Sequence, residues 1–492
     1  MFLFKCFFAF WLELGNDEAY YWLYSQYLQW NYFDHPPVVA LWIRVFTVNL
    51  SLEQYEGFLR LGSVAGCSLA TWFIYKAVGS FHSQKAGWFA AVLYNASFYS
   101  GITAGLYIMP DSPQMVFLTL SLWMIARIVK DENNWLNWLL FAIASGLCIM
   151  SKVHGAFLWI GVGGYILFFK NQWLKKSQLY VSFLITVLII SPIFVWNVRY
   201  DFATFRFHGN RIEVDEFVFH PQYLFKEILN QIGFNNPVNF FLTVFALRTV
   251  FKAKWKISTP AIICAFIGLP LAFMLLVVSV FRNVTLPHWS GPAYVSLIPL
   301  AASWLADHSK NYFPKTLKWS LAIFVVIFLG YAASIKFYPG TFGSHNLQEF
   351  GKGDISLDMY GWRKAASQFE IFYRKDVEQG TMPANASFVA SHWWGAHVEY
   401  YFARPLHLKM IGLGNSLYLN EYLWTNKWRK GETDLNNAYC IVPSDDHDYV
   451  PSDFYQQKQL AKIIEIERGG KPARYFFVYR LKGLKKEIPM IK

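Results

Sequence analysis

Asp17-Glu18-Ala19-Tyr20-Tyr21-Trp22, closing on Tyr32-Phe33-Asp34-His35-Pro36-Pro37, is the stretch on which the fold turns. It sets acids and aromatic rings directly after an apolar run, residues 2–14, and ahead of another, residues 58–78. Tyr and Trp settle at the headgroup level of a bilayer, so residues 19–30 read as a helix lying along a membrane interface. Carboxylates beside a hydrocarbon core are costly, which marks Asp17, Glu18 and Asp34 as residues with a task. Met109-Pro110-Asp111-Ser112-Pro113 repeats the setting between two further apolar runs.

The rest of the chain agrees. Its 492 residues are 55% hydrophobic, 20% aromatic and only 15% charged, too few charges for a soluble protein of this size. Apolar runs recur at 86–106, 114–129, 135–150, 153–169, 179–196, 233–250, 260–280, 292–306 and 319–335. With the first two they predict a polytopic α-helical membrane protein of about eleven spans. Residues 1–15 show no small-x-small cleavage site and read as a retained anchor. Basic residues orient the chain. Lys76 and Lys85, Arg127 and Lys130, then Lys170, Lys175 and Lys176, then Arg248, Lys252, Lys254 and Lys256, then Lys310, Lys315 and Lys318, all fall on one side when the spans alternate. That side is the cytoplasm. The net charge of +12 therefore belongs to inner loops, and nucleic acid is not an expected partner. Both acidic clusters and everything after about residue 338 face outward. The five cysteines form no Cys-x-x-Cys pair and predict neither a zinc site nor a disulfide framework.

Two domains follow: a transmembrane part, residues 1–337, with a first outer loop at 15–56, and an extracytoplasmic mixed α/β domain at 338–492. In the latter, 387–390 and 475–479 read as short buried strands and 361–378 as a helix.

Three outer acids are the candidate catalytic residues: Asp17, Asp34 and Asp111. Adjacent acids diverge on a helix, so of Asp17 and Glu18 one can cap the helix start while the other faces a cavity. Asp34 and His35 precede two prolines at a stiff loop-to-helix junction. Acids converging from three loops suit general-base chemistry or oxygen ligation of a divalent cation. Lys152, Arg282, His288 and His35 supply the cations and donors that hold a phosphate. The plainer reading of each is a helix cap or an interfacial side chain.

The first-loop motif, Asp17 to Trp22 with Tyr32 to Pro37, resembles that of bacterial polyprenyl-phosphate-sugar glycosyltransferases of the C-type (GT-C) fold, the family of the protein O-mannosyltransferases and the lipid A aminoarabinose transferase. Met109 to Pro113, Ser151-Lys152 and His288-Trp289-Ser290-Gly291-Pro292 look like further signatures, and Trp393-Trp394-Gly395 resembles the outer domain more loosely. The resemblance implies a bacterial plasma-membrane enzyme with its site on the periplasmic face. It implies a polyprenyl-phosphate sugar as donor and a glycolipid such as lipid A, or a protein, as acceptor. It places Asp17 as the leading acid with Asp34 and Asp111 beside it. His35 stands where the aminoarabinose transferase has Lys. A lipid-linked-sugar flippase is the alternative from another class; it would move its lipid without forming a glycosidic bond.

Overall fold

The computed structural model describes residues 1–492 except 214–217, 253–258, 284, 394, 430, 432, 447–449 and 492. Lys254, Lys256 and Trp394 of the sequence reading lie outside the described residues. The chain divides into two compact units. Unit one comprises Met1–Ala9 and Leu28–Ile327; unit two comprises Phe10–Tyr27 and Phe328–Lys492.

Unit one is helical. Among the described residues, five helices are long and apolar enough to cross a membrane: Glu56–Phe81, Asp111–Lys130, Ser177–Arg199, Pro260–Phe281 and Lys315–Phe337, the last running on into unit two. Shorter apolar helices lie between them, including Gln84–Ala96, Trp135–Ser151, Phe157–Phe169, Pro237–Lys252 and Gly291–His308. Helices in lipid are held by close approach and by polar contacts rather than by hydrophobic contrast. Gly161 shows the first: a Cβ there would come within 2.7 Å of Ile267 Cα. Ser145, Thr186 and Trp159 show the second. Ser145 Oγ meets Thr186 Oγ1 at 3.0 Å and accepts from Trp159 Nε1 at 3.1 Å, joining three helices. Two apolar runs are broken where continuous helices were expected. The 86–106 run stops at Ala96 and resumes as a π turn, Tyr99–Thr103, and the 153–169 run begins as a 3-10 turn, Val153–Ala156. Such irregular turns expose backbone and tend to mark functional places.

Unit two is built on a five-stranded mixed sheet. Its strands are β1 (Ala386–Ala390), β2 (Met410–Gly412), β3 (Asp434–Pro443), β4 (Tyr455–Arg468) and β5 (Lys471–Leu484), in the order β2-β1-β3-β5-β4. β1 pairs parallel with β2 and β3, while β5 pairs antiparallel with β3 and β4. The Gly469–Gly470 turn, at φ +58° and +75°, joins β4 and β5 as a tight hairpin. The helix Trp362–Glu378 covers one face through Phe369, which sits edge-on to Phe388 and Tyr439.

The helix of the first outer loop, Asn16–Gln26, belongs to unit two. The sequence places its aromatic residues at the headgroup level, yet Glu18 through Ser25 are buried in protein. Trp22 meets Tyr400 edge-on at 5.1 Å and Tyr20 meets Trp393 at 5.0 Å. His397 clamps the approach to this helix, donating to the Leu14 carbonyl at 2.8 Å and bonding the Asn16 amide at 2.6 Å.

Candidate active site

In unit one the site grows from two helix ends. Asp111 opens the helix Asp111–Lys130 directly after Pro110. Lys152 follows Ser151, the last residue of Trp135–Ser151, in extended conformation. Lys152 Nζ donates to Asp111 Oδ2 at 2.8 Å and to Oδ1 at 3.0 Å, and Tyr99, from the π turn, donates to Oδ1 at 2.7 Å. Both charged side chains are almost wholly buried, 3% and 0% exposed. A pair this deep is maintained by its own geometry, because either partner alone would be an uncompensated buried charge.

Four imidazoles lie in the field of this pair: His35, His154, His208 and His288. His35 arrives through the turn predicted from Pro36-Pro37, since the helix Val38–Phe46 begins after Pro37. The loop is tied down from a distance. Asn31 donates to Thr204 Oγ1 at 2.9 Å, and Thr204 Oγ1 donates to the Tyr32 carbonyl at 3.1 Å. On the same helix, Ala203–Ile212, His208 Nε2 donates to the Asp34 carbonyl at 2.8 Å, and its ring lies 6.0 Å from that of His35. Burial, then the Lys152 ammonium, holds His35 well below the usual imidazole value. The same two causes push His288 down to about 4, and burial lowers His208. These three rings are therefore neutral at pH 7; His35 and His288 can each turn an N–H to an incoming anion, while the single N–H of His208 is spent on the Asp34 carbonyl.

Asp34, His35, Asp111, Lys152 and His288 thus share one neighbourhood in unit one. Arg282 donates to the Glu213 carbonyl. The guanidinium that acts on both His208 and His288 is Arg211, which also lies over the Trp289 ring at 4.9 Å. The sequence reading did not single out Tyr99, His154, His208 or Arg211. The i, i+3 pair His208/Arg211 in an aromatic outer loop was the available signal for two of them.

Asp17 and Glu18 lie in unit two. Glu18 Oε2 accepts the Gly15 N–H at 2.9 Å and caps the helix, while Asp17 is exposed. Of the two neighbours, Glu18 takes the capping role. Next to them is a residue the sequence did not announce, Asp358. It accepts the Asn16 N–H at 3.1 Å. Burial, opposed by that N–H and reinforced by the Asp17 charge, pushes its carboxyl up to about 7.

A divalent cation does not fit the described residues. Both Asp111 oxygens are committed to Lys152 and Tyr99, and among the described residues no three of His, Cys, Asp or Glu are gathered around one point. The arrangement is instead one of N–H donors and a neutralised ammonium, suited to a phosphate.

The chain is similar to known proteins in sequence and in fold. Residues 34–196 match the family described as dolichyl-phosphate-mannose-protein mannosyltransferase. The lipid A galacturonosyltransferase RgtD of Rhizobium johnstonii is 21% identical over 353 residues, covering 72% of this chain and 71% of its own. The crystal structure of ArnT from Cupriavidus metallidurans bound to undecaprenyl phosphate superposes with a TM-score of 0.60 at 12% identity, over 97% of this chain and 96% of that one. Its apo form gives 0.58 at 13% identity with the same coverage.

Proposed function

We propose, the chain being a glycosyltransferase of the C-type fold, that it transfers one sugar from a polyprenyl phosphate to lipid A on the outer face of a bacterial plasma membrane. The observation that carries this reading is the buried Lys152–Asp111–Tyr99 group with its neutral imidazoles. A cluster of donors beside an ammonium is what a lipid-bound phosphate requires. The extent of the match to a lipid A galacturonosyltransferase favours a glycolipid acceptor over a protein. The alternation of basic and acidic loops in the sequence supports a periplasmic site and a periplasmic unit two.

The chemistry is a displacement at the sugar C1. The C1–O bond to the donor phosphate breaks as positive charge grows on the ring, and the leaving phosphate keeps the electron pair. Lys152, His35 and His288 receive that charge, joined by His154 and Arg211, while His208 holds the Asp34 carbonyl. Lys152 keeps its pair with Asp111 and offers the phosphate the remaining N–H of its ammonium, the other two being spent on the carboxylate. The acceptor hydroxyl attacks from the opposite face, which inverts the anomeric centre, and its proton passes to a carboxylate base, the role that the resemblance of the first-loop motif gives to Asp17. Asp34 orients the acceptor, Glu18 holds the helix that carries Asp17, and Arg282 fixes the outer loop through the Glu213 carbonyl.

Purified protein in lipid, given undecaprenyl-phosphate sugars and lipid A, tests this by mass spectrometry. A single-sugar increment on lipid A is expected, falling at least about a hundredfold in Asp17→Asn at unchanged protein level. Full transfer by that variant removes Asp17 as base. An increment on protein, or lipid movement without any product, overturns the assignment.

A further inference from the structure

Unit two contains a cleft of about 390 Å³ lined by Asn16, Tyr331, Asp354, Asp358, Asp445 and Arg474, among others. That volume falls within the range of small-ligand pockets. Part of its wall is bare backbone: Gly351 and Gly353 stand at φ +90° and +91°, and a Cβ on Gly353 would meet nothing within 4 Å. Ile355 also lines it and is 68% exposed, so it stands at the mouth.

Most of the charges in this cleft are already spent. Asp354 is held by Arg468 Nη2 at 2.7 Å, Thr341 Oγ1 at 2.9 Å and the Ser356 N–H at 3.0 Å. Arg474 pairs with Asp445 at 2.7 Å, donates to the Leu357 carbonyl at 2.7 Å, and lies between the rings of Trp362 and Phe476 at 4.6 and 4.7 Å. Besides the Arg474 Nε–H, which is buried without a partner among the described residues, three groups keep unused capacity. Asp358 gives Oδ1 to Asn16 N–H, and its Oδ2 has no partner among the described residues. The Tyr331 hydroxyl has none either. Asn16 uses one end of its amide on His397 and leaves the other.

We propose that this cleft is a carbohydrate subsite that seats one uncharged sugar ring of the glycolipid acceptor, held by Asn16, Tyr331 and Asp358. The identity of the acceptor rests on the transferase reading above. Each sugar hydroxyl both donates and accepts, and the three open groups together offer both functions. Asp358, with its carboxyl near neutrality, is itself able to donate at pH 6 and to accept at pH 8. The one lining cation, Arg474, has its charge balanced by Asp445 although its Nε–H is open, so a phosphate or carboxylate finds no net positive charge among the described lining residues, and a metal ion finds one carboxyl outside an ion pair.

Saturation-transfer NMR on the full chain in detergent tests the cleft without needing catalysis. The probe is the methyl glycoside of N-acetylglucosamine, with inorganic phosphate and glucosamine as competitors. The expected result is binding of the acetylated sugar that weakens about tenfold in Asp358→Ala, the loss of one hydrogen bond to a buried acid. Ile355→Trp, at an exposed position that leaves the fold alone, should close the mouth and abolish it. Absence of sugar binding, displacement by phosphate, binding of the free amine only, or indifference to Ile355→Trp each overturns the proposal. Sugar binding in a protein that transfers nothing sinks the transferase reading and leaves the cleft; transfer without sugar binding sinks the cleft alone.

Discussion

Lys152 and Asp111 show how much a single pair carries. At 3% and 0% exposure neither charge has water to fall back on, so removing one partner strands the other. Lys152→Met is expected to cost roughly 3–5 kcal/mol of stability and to abolish transfer. Adding Asp111→Asn should return most of the stability, because the stranded charge is gone, without returning activity. Thermal melting in detergent beside the transfer assay reads both. A double variant no more stable than Lys152→Met would mean the pair is not electrostatically coupled. Residue identity was legible here: a lysine ending an apolar run and an acid between prolines both stood out. Their pairing was not, since 41 positions separate them. His208 was invisible for the same reason, lying 174 positions from the Asp34 carbonyl that it bonds.

At the scale of elements, the π turn Tyr99–Thr103 and the start of the helix Gly291–His308 act together. A Cβ on Gly291 would lie 2.2 Å from Tyr99 Cγ, so the glycine admits the ring that donates to Asp111. Gly291→Ala is expected to lower stability by about 1–3 kcal/mol, the usual cost of overpacking, and to reduce transfer by displacing Tyr99. Combining it with Tyr99→Leu should relieve the strain and restore the melting temperature. A Gly291→Ala protein with unaltered stability and rate would show that the ring has room to move. Periodicity predicted helices across both regions, because hydropathy averages over a turn of backbone. It could not locate the break after Ala96, which depends on what stacks against Tyr99. The helix Asn16–Gln26 makes the same point from the other side. Its Tyr and Trp content signalled an interface, and Tyr400 and Trp393 supplied a protein surface instead.

For the whole molecule, the distribution of basic residues predicts which loops face the cytoplasm. Asn171→Cys, beside Lys170, should react with an impermeant maleimide only in inverted vesicles. Asp201→Cys, in the loop that follows the helix Ser177–Arg199, should react only in intact spheroplasts. Labelling of both from one side would break the alternation on which the periplasmic site depends. The membrane class, the helical regions, the sheet-bearing C-terminal part and the candidate acids were all determined by the sequence itself, because hydropathy, charge asymmetry and motif spacing are local properties. The tertiary structure alone decided that Asp111 is locked to Lys152 and Tyr99. It also decided that the charge of Lys152 acts on four imidazoles, and that Asp358 shares a cleft with Asn16. Those facts depend on which distant segments the packed helices and sheet bring within about 3 Å of one another, and no local pattern encodes that.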